Sequence, residues 1–343
     1  MKYKLVSLFL VGFLLVVSSL GAWSYAGHRK IALIAYDRLE EGTRARVSEM
    51  LRRHERIKQD FRMPDNIQSA PSVVQDRWLF MTAATWPDRV RNLTGSERER
   101  YSHSKWHYIN EPLFLGDEDK EALAGQTLAN LETKAPPLDL CDEPEMETCG
   151  DLNVIQALKL SVAKLEAAST PDPEKAIYLS WLLHLAGDLH QPLHSTALFS
   201  AILLPRGDQG GNLIRVGRKR LHAHWDDQPG TTARSLRRLN REARSLLRDQ
   251  GLRAAARDST SDLSFEAWLE QSHELAWEHV YDEAILDAVS RYEAQVQRKL
   301  RYEEWIPAPR PSREYRREAL SVAEKRVVEA GYRLAAVIEH LEL

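Results

Sequence analysis

Between His184 and His194 the chain reads HLAGDLHQPLH, which sets four titratable side chains within eleven residues. His184 and Asp188 stand four apart, so a helix stacks them on one face within reach of a single metal ion. The Gln191-Pro192 step interrupts that helix, because proline disfavours helical backbone before it and clashes within it. His194 is thereby turned elsewhere, toward a neighbouring ion. A second pair with the same spacing follows at His222 and Asp226. Either pair alone is weak evidence, since such a pair is more often a capped or salt-bridged helix face. Their combination argues for more. His184 lies in an otherwise apolar run, 178–187, where an unpartnered polar group is costly. Gly187 leaves room for a close approach, and the fragments TWPDRVR, with Asp88 and Arg91, and KWHYIN, with His107, Tyr108 and Asn110, place Asp and His beside bulky aromatics. Such His and Asp sets with little Cys favour zinc or a similar borderline ion.

The elements that must position these groups are helical by pattern. Apolar residues recur at helical spacing through Ile31, Ile34, Ala35 and Leu39, then Val47, Met50 and Leu51. Asp151 or Asn153 caps a helix through Val154, Leu158, Val162 and Leu165, and Pro173 suits the first turn of the next, which runs to about His190. The segments 232–255, 262–293 and 313–341 are helical as well. A helix is expected to end near Trp86-Pro87-Asp88, and 64–71 reads as a loop. Residues 91–105 read as irregular, and 111–150 as a long surface excursion. A β-hairpin fits 212–220 around Gly217. The expectation is an all-α fold in one mainly helical domain, 23–343, with no internal repeat.

Composition bounds the function. The chain has 343 residues, 47 Lys+Arg, 50 Asp+Glu, 12 His, 2 Cys and 43% apolar residues. That excludes disorder, a disulfide-stapled scaffold and a binder that grips nucleic acid through bulk positive charge. Lys2 and Lys4 precede an apolar run, 5–17, and then small residues, the pattern of a secretory signal peptide over 1–22. Thirteen residues are too few to cross roughly 30 Å of hydrocarbon, so no membrane anchor is expected after cleavage. The predicted location is secreted or periplasmic. Cutting after Ala22, rather than Gly21, frees the α-amino group of Trp23. Export favours a disulfide between Cys141 and Cys149.

These fragments, in this order and spacing, resemble the S1/P1 nuclease family, secreted trinuclear zinc enzymes related to bacterial zinc phospholipase C. The resemblance spans the mature chain, from WSYAGH at Trp23–His28 through TWPD, WHYI and His184 to His194, then GGN at Gly210 and LHAHWD ending at Asp226. It implies a helical fold and three Zn²⁺ ions. One would be held by Asp88, His107, His184 and Asp188; a second by His194, His222 and Asp226; a third by the Trp23 terminus, His28 and the bridging Asp188. It implies hydrolysis of single-stranded DNA and RNA to 5′-phosphate products by a metal-bridging hydroxide, with 3′-nucleotidase action on nucleotides, in a monomer. Asp88, Arg91 and Asp188 would carry the catalysis, Arg91 by steadying charge on phosphoryl oxygens. Tyr108 would stack on a nucleobase and Asn110 would bond its edge. His190 and His224 match no ligand position; His190 reads equally well as a satisfied core histidine.

Two other readings stay open at the level of sequence. One is a zinc phospholipase C acting on lipid head groups, although Asp226 stands where that relative uses Glu. The other is an exported zinc-binding protein without catalysis. The stretch 195–209 is longer and more apolar than in fungal nucleases, and Phe199, Ile202 and Leu203 either edge the cleft or pack inside, with packing the default.

Overall fold

The computed structural model describes residues 23–341 apart from 127, 129, 143–146, 232–234 and 299–304. The signal segment expected over 1–22 lies outside the described residues. As expected, the fold is mainly helical, with two small sheets.

At its centre lies the helix Asp172–Asp188. Pro173 and the acids Asp172 and Glu174 occupy its first turn, where a missing N–H and negative charge are both favourable. From Ala176 to Asp188 every residue is buried. A helix apolar all round must be surrounded, and this one packs against the helices Tyr25–Arg38, Glu41–Arg52, Val154–Glu166 and Arg313–His340. Asn153, rather than Asp151, caps Val154–Glu166: its Oδ1 accepts from Ile155 N and Gln156 N at 3.0 and 3.1 Å, and Gln156 reciprocates. The C-terminal helix Arg313–His340 crosses Tyr25–Arg38 at Gly331, where an added Cβ would stand 2.7 Å from Ile34 Cβ.

The sheets act as lashings. Strand β1 (Glu111–Phe114) runs parallel to β2 (Thr196–Phe199), with Glu111 opposite Thr196. Next to this pair, Ile109 N donates to His194 O at 2.8 Å, so the backbone carrying His107 is tied to that carrying His194. Strands β3 (Ile214–Val216) and β4 (Lys219–Arg220) form the expected hairpin, turning at Gly217 with φ +67°, and β5 (Ile306–Ala308) joins β3 in parallel.

The local expectations need four corrections. The helix Ser72–Ala83 stops short of Trp86, and a new helix, Trp86–Val90, begins there with Pro87 in its first turn. The polar stretch 91–105 contains the helix Gly95–Tyr101, held by the Tyr101 hydroxyl on Glu55 Oε2 at 2.7 Å. The loop-like 64–71 contains the helical turn Asp65–Gln68. The excursion 111–150 opens as β1 and is pinned by the Cys141–Cys149 disulfide. Phe199 is fully buried on β2 beside Ala197 and Leu123, so it packs; Ile202 is 53% exposed.

The glycine-rich turn 207–211 carries one further buried group. Asp208 accepts from Leu198 N at 3.0 Å and from the Tyr281 hydroxyl at 2.8 Å, and burial pushes its carboxyl up to about 6. An acid raised on folding contributes stability that is complete below pH 3.8 and is lost as pH rises through about 6, here about 3 kcal/mol. Urea unfolding of wild type and Asp208→Asn at pH 4 and pH 7 checks this. The variant should gain on wild type by about that amount at the higher pH, and a constant difference would contradict it.

Candidate metal centre

Asp188, the last residue of the central helix, is fully buried. Its Oδ1 lies 3.2 Å from His28 Nε2, and its Oδ2 lies 2.9 Å from His107 Nδ1 and 3.3 Å from His184 Nε2. Four elements converge there: the N-terminal helix brings His28, the turn Ser104–His107 brings His107, the central helix brings His184 with Asp188, and Trp86–Val90 brings Asp88. Asp88 Oδ1 stands 3.8 Å from His184 Nε2. Three groups thus have ligand atoms within 4.8 Å of one another: His28, Asp88 and His184; His107, His184 and Asp188; His194, His222 and Asp226. Gly187 makes the first possible, since a Cβ there would meet His28 Nδ1 at 2.7 Å.

Hydrogen bonds behind the rings fix which nitrogen faces inward. His184 Nδ1 lies 2.8 Å from Ala84 O, His194 Nδ1 2.6 Å from His107 O, and His222 Nδ1 2.7 Å from Gly210 O. A carbonyl only accepts, so each Nδ1 carries the hydrogen, which leaves Nε2 as the nitrogen aimed inward. Burial disfavours charge, holding His184 and His194 well below the ordinary histidine range and His28 at about 4. His194 Nε2 and His222 Nε2 face each other at 3.1 Å, with Asp226 Oδ2 3.5 Å from the latter. A cation placed between the two nitrogens would be shared by both.

The same demand recurs at Asp188. Its Oδ1, Asp88 Oδ1, His107 Nε2 and both ring nitrogens of His28 are buried without a hydrogen-bond partner. Burial raises the carboxyls of Asp88, Asp188 and Asp226, and Asp88 raises Asp188 further. Oxygen and imidazole donors in this density, left unsatisfied together, fit divalent cations of borderline softness. The S1/P1 Nuclease family matches residues 23–342. The chain belongs to the S1/P1 nuclease family. Its relative Endonuclease 5 of Arabidopsis thaliana is 23% identical over 335 residues, covering 93% of this chain and 90% of that protein.

As a member of the S1/P1 nuclease family, the chain is a metal-dependent nuclease hydrolase. The remaining sequence candidates fall around the cluster. Trp23 is fully buried, and Ser24 N donates to Asp226 O at 3.0 Å, which sets the start of the described chain beside the His194, His222 and Asp226 group. Arg91 is half-buried, its Nε 3.5 Å from Asp88 Oδ1. Tyr108 follows His107 directly and is 37% exposed, and half-buried Asn110 leads into β1. His190 is a satisfied core histidine, with Nδ1 2.7 Å from Ala186 O and Nε2 accepting from Arg333 at 3.1 Å. His224 stacks on Tyr315 instead.

Sequence reasoning passed over Gln191. Its Nε2 donates to Asp226 Oδ1 at 2.8 Å while its Oε1 accepts from Leu193 N at 2.6 Å, so one amide aims the carboxylate and holds the turn toward His194. Its place beside Pro192 was the available signal. Gln191→Ala should lower metal affinity or activity by about 10–100-fold, the usual effect of losing a group that orients a ligand. Metal titration of the variant checks this, and wild-type affinity would remove Gln191 from the centre.

Proposed function

We propose that this chain is an exported zinc phosphodiesterase that cleaves single-stranded DNA and RNA, leaving 5′-phosphate products, with 3′-nucleotidase activity on nucleotides. The observation that carries the reading is the convergence of His28, His107 and His184 on the Asp188 carboxylate. Three Zn²⁺ ions would be held by Asp88, His107, His184 and Asp188; by His194, His222 and Asp226; and by His28, Asp188 and the Trp23 terminus. Bound there, zinc supplies Lewis acidity that brings the pKa of a water toward neutrality and offsets charge on the departing oxygen.

The chain's own residues do the rest. Asp188 and Asp88 present their carboxyl oxygens at the floor, and the carbonyls of Ala84, His107 and Gly210 keep the imidazoles aimed. Arg91, beside Asp88, reaches phosphoryl oxygens with a forked donor and steadies the charge they gain. The Tyr108 ring, exposed at the rim, stacks on a nucleobase, a contact of about 1–3 kcal/mol indifferent to sequence. Asn110 offers that base both a donor and an acceptor. A flexible single strand exposes its bases to this rim, whereas a duplex hides them.

The apolar run 5–17 ahead of small residues, together with the Cys141–Cys149 disulfide, supports export. Removal of 1–22, with its two lysines and no acid, leaves a monomer of net charge −5 and frees the Trp23 amine. Metal analysis of the mature protein, with hydrolysis of single-stranded DNA and RNA before and after chelation, tests the reading. Three zinc ions per chain, 5′-phosphate ends and activity restored by zinc are expected. Fewer than two ions, or indifference to the chelator, would sink it, and phosphocholine release in place of nucleotides would move the substrate to lipid.

A further inference from the structure

The helix Leu236–Leu246 turns Leu236, Leu239 and Ala243 into the protein. The opposite stripe carries Arg237, Arg241 and Arg244 at spacings of four and three, with Arg248 continuing the row beyond the helix end. These four arginines and Arg29 line one cavity of about 900 Å³, and no carboxylate lines it among the described residues. Arg29, Arg237, Arg241 and Arg244 have no ion-pair partner among the described residues, and Arg248 donates to Ser245 Oγ at 3.0 Å. Asn240 Oδ1 and Arg29 Nε, both at this cavity, are buried without hydrogen-bond partners. The half-buried Trp78 supplies an aromatic wall.

The cavity adjoins the metal centre through the N-terminal helix, where Arg29 follows His28 directly. Tyr25 lies 6.0 Å beneath the Arg29 guanidinium and is an electrostatic neighbour of Asp88 and Arg91. A band of cationic and aromatic groups therefore runs from the Asp88 edge of the centre, past Tyr25 and Arg29, to the arginine row.

Five guanidiniums on a chain of net charge −3 form a local field opposite to that of the whole protein. Guanidinium forks match phosphate oxygens in pairs, and the row from Arg237 to Arg244 is about 10 Å long, enough for successive phosphates of one strand. With an indole on which a base can stack, this is the chemistry of a sequence-tolerant single-strand groove. Resting on the nuclease reading for its occupant, we propose that the cavity of Arg29, Arg237, Arg241, Arg244, Arg248 and Trp78 is a second binding site, which holds a single-stranded polynucleotide away from the scissile phosphate.

The test compares the holoenzyme with an Arg241→Gln, Arg244→Gln double variant, both substitutions being at exposed positions. The substrates are a dinucleotide and a single strand longer than the roughly 16 nucleotides such grooves span. Dinucleotide hydrolysis should be unchanged. For the long strand kcat/KM should fall about 10-fold, through KM, and the salt slope of log KM should drop by about 1.4, two phosphate contacts at ~0.7 each. Equal losses on both substrates, or none on either, overturn the groove. Binding of a phosphorothioate single strand to the holoenzyme, read by fluorescence anisotropy, needs no turnover. Binding that weakens in the double variant supports the groove even if the chain cleaves no nucleic acid, so the two readings fail separately. If polyglutamate or anionic lipid vesicles displace the strand as readily as single-stranded DNA does, the polynucleotide assignment is overturned.

Discussion

Asp188→Asn should lower hydrolysis of single-stranded DNA on the order of 10³-fold, the scale of losing one preorganised charge-stabilising group. The substitution keeps the shape of the side chain and removes its charge. It also turns one oxygen into an amide that only donates, toward imidazole nitrogens 2.9–3.3 Å away. The metal content of the purified variant should fall with the activity. Stability separates this account from a structural role for Asp188. With metal present the wild type should be the more stable form, because ions that bind only the folded chain stabilise it. With chelator present the order should reverse, because Asn relieves a fully buried carboxylate that burial and Asp88 both disfavour. Thermal unfolding of both proteins, with and without chelator, reads the crossing. A variant that retains metal and activity, or that is the less stable form in chelator, would remove Asp188 from the metal centre.

The central helix and the His and Asp side chains it carries were legible because they depend on local spacing. A spacing of four from His184 to Asp188 is a statement about one helix face, and Pro192 is a statement about where that face must end. In the structure the helix does end at Asp188, and the turn Pro192–His194 carries His194 to His222 rather than back to His184. The strands β1 and β2 were not legible. Each has four residues, and their partners are 85 positions apart, so neither registers as a periodic pattern. The helix Gly95–Tyr101 was missed for a related reason. Its sequence is polar, and Glu55, which holds both Arg100 and Tyr101, comes from a distant part of the chain. The segment 232–255 was read as helical, while the arginines of the helix Leu236–Leu246 gain meaning only when Arg29 and Trp78 are brought alongside.

Gly187→Ala should remove His28 from the centre without unfolding the protein. An alanine favours a helix interior over glycine by about 1 kcal/mol, so intrinsic propensity alone would make this substitution stabilising. Its Cβ, however, would stand 2.7 Å from His28 Nδ1, 3.0 Å from His28 Cε1 and 3.2 Å from Ile31 Cδ1. Both partners sit on the buried face of the N-terminal helix, which is clamped between the central and C-terminal helices. Neither can step aside freely, and overpacking of this kind costs about 1–3 kcal/mol. The net change in stability is then small, on the order of 1 kcal/mol of destabilisation, because the two effects oppose each other. The functional effect is larger. Displacing His28 by a few tenths of an ångström breaks its 3.2 Å approach to Asp188, and the misplacement should lower activity by about 10²-fold. On the three-zinc proposal, the ion count should fall from three to two per chain, the His194, His222 and Asp226 group keeping its own. Metal analysis and hydrolysis of single-stranded DNA by a variant whose unfolding midpoint is nearly that of wild type would establish the point. Full zinc content and full activity would mean that His28 has room to move and that Gly187 serves packing alone.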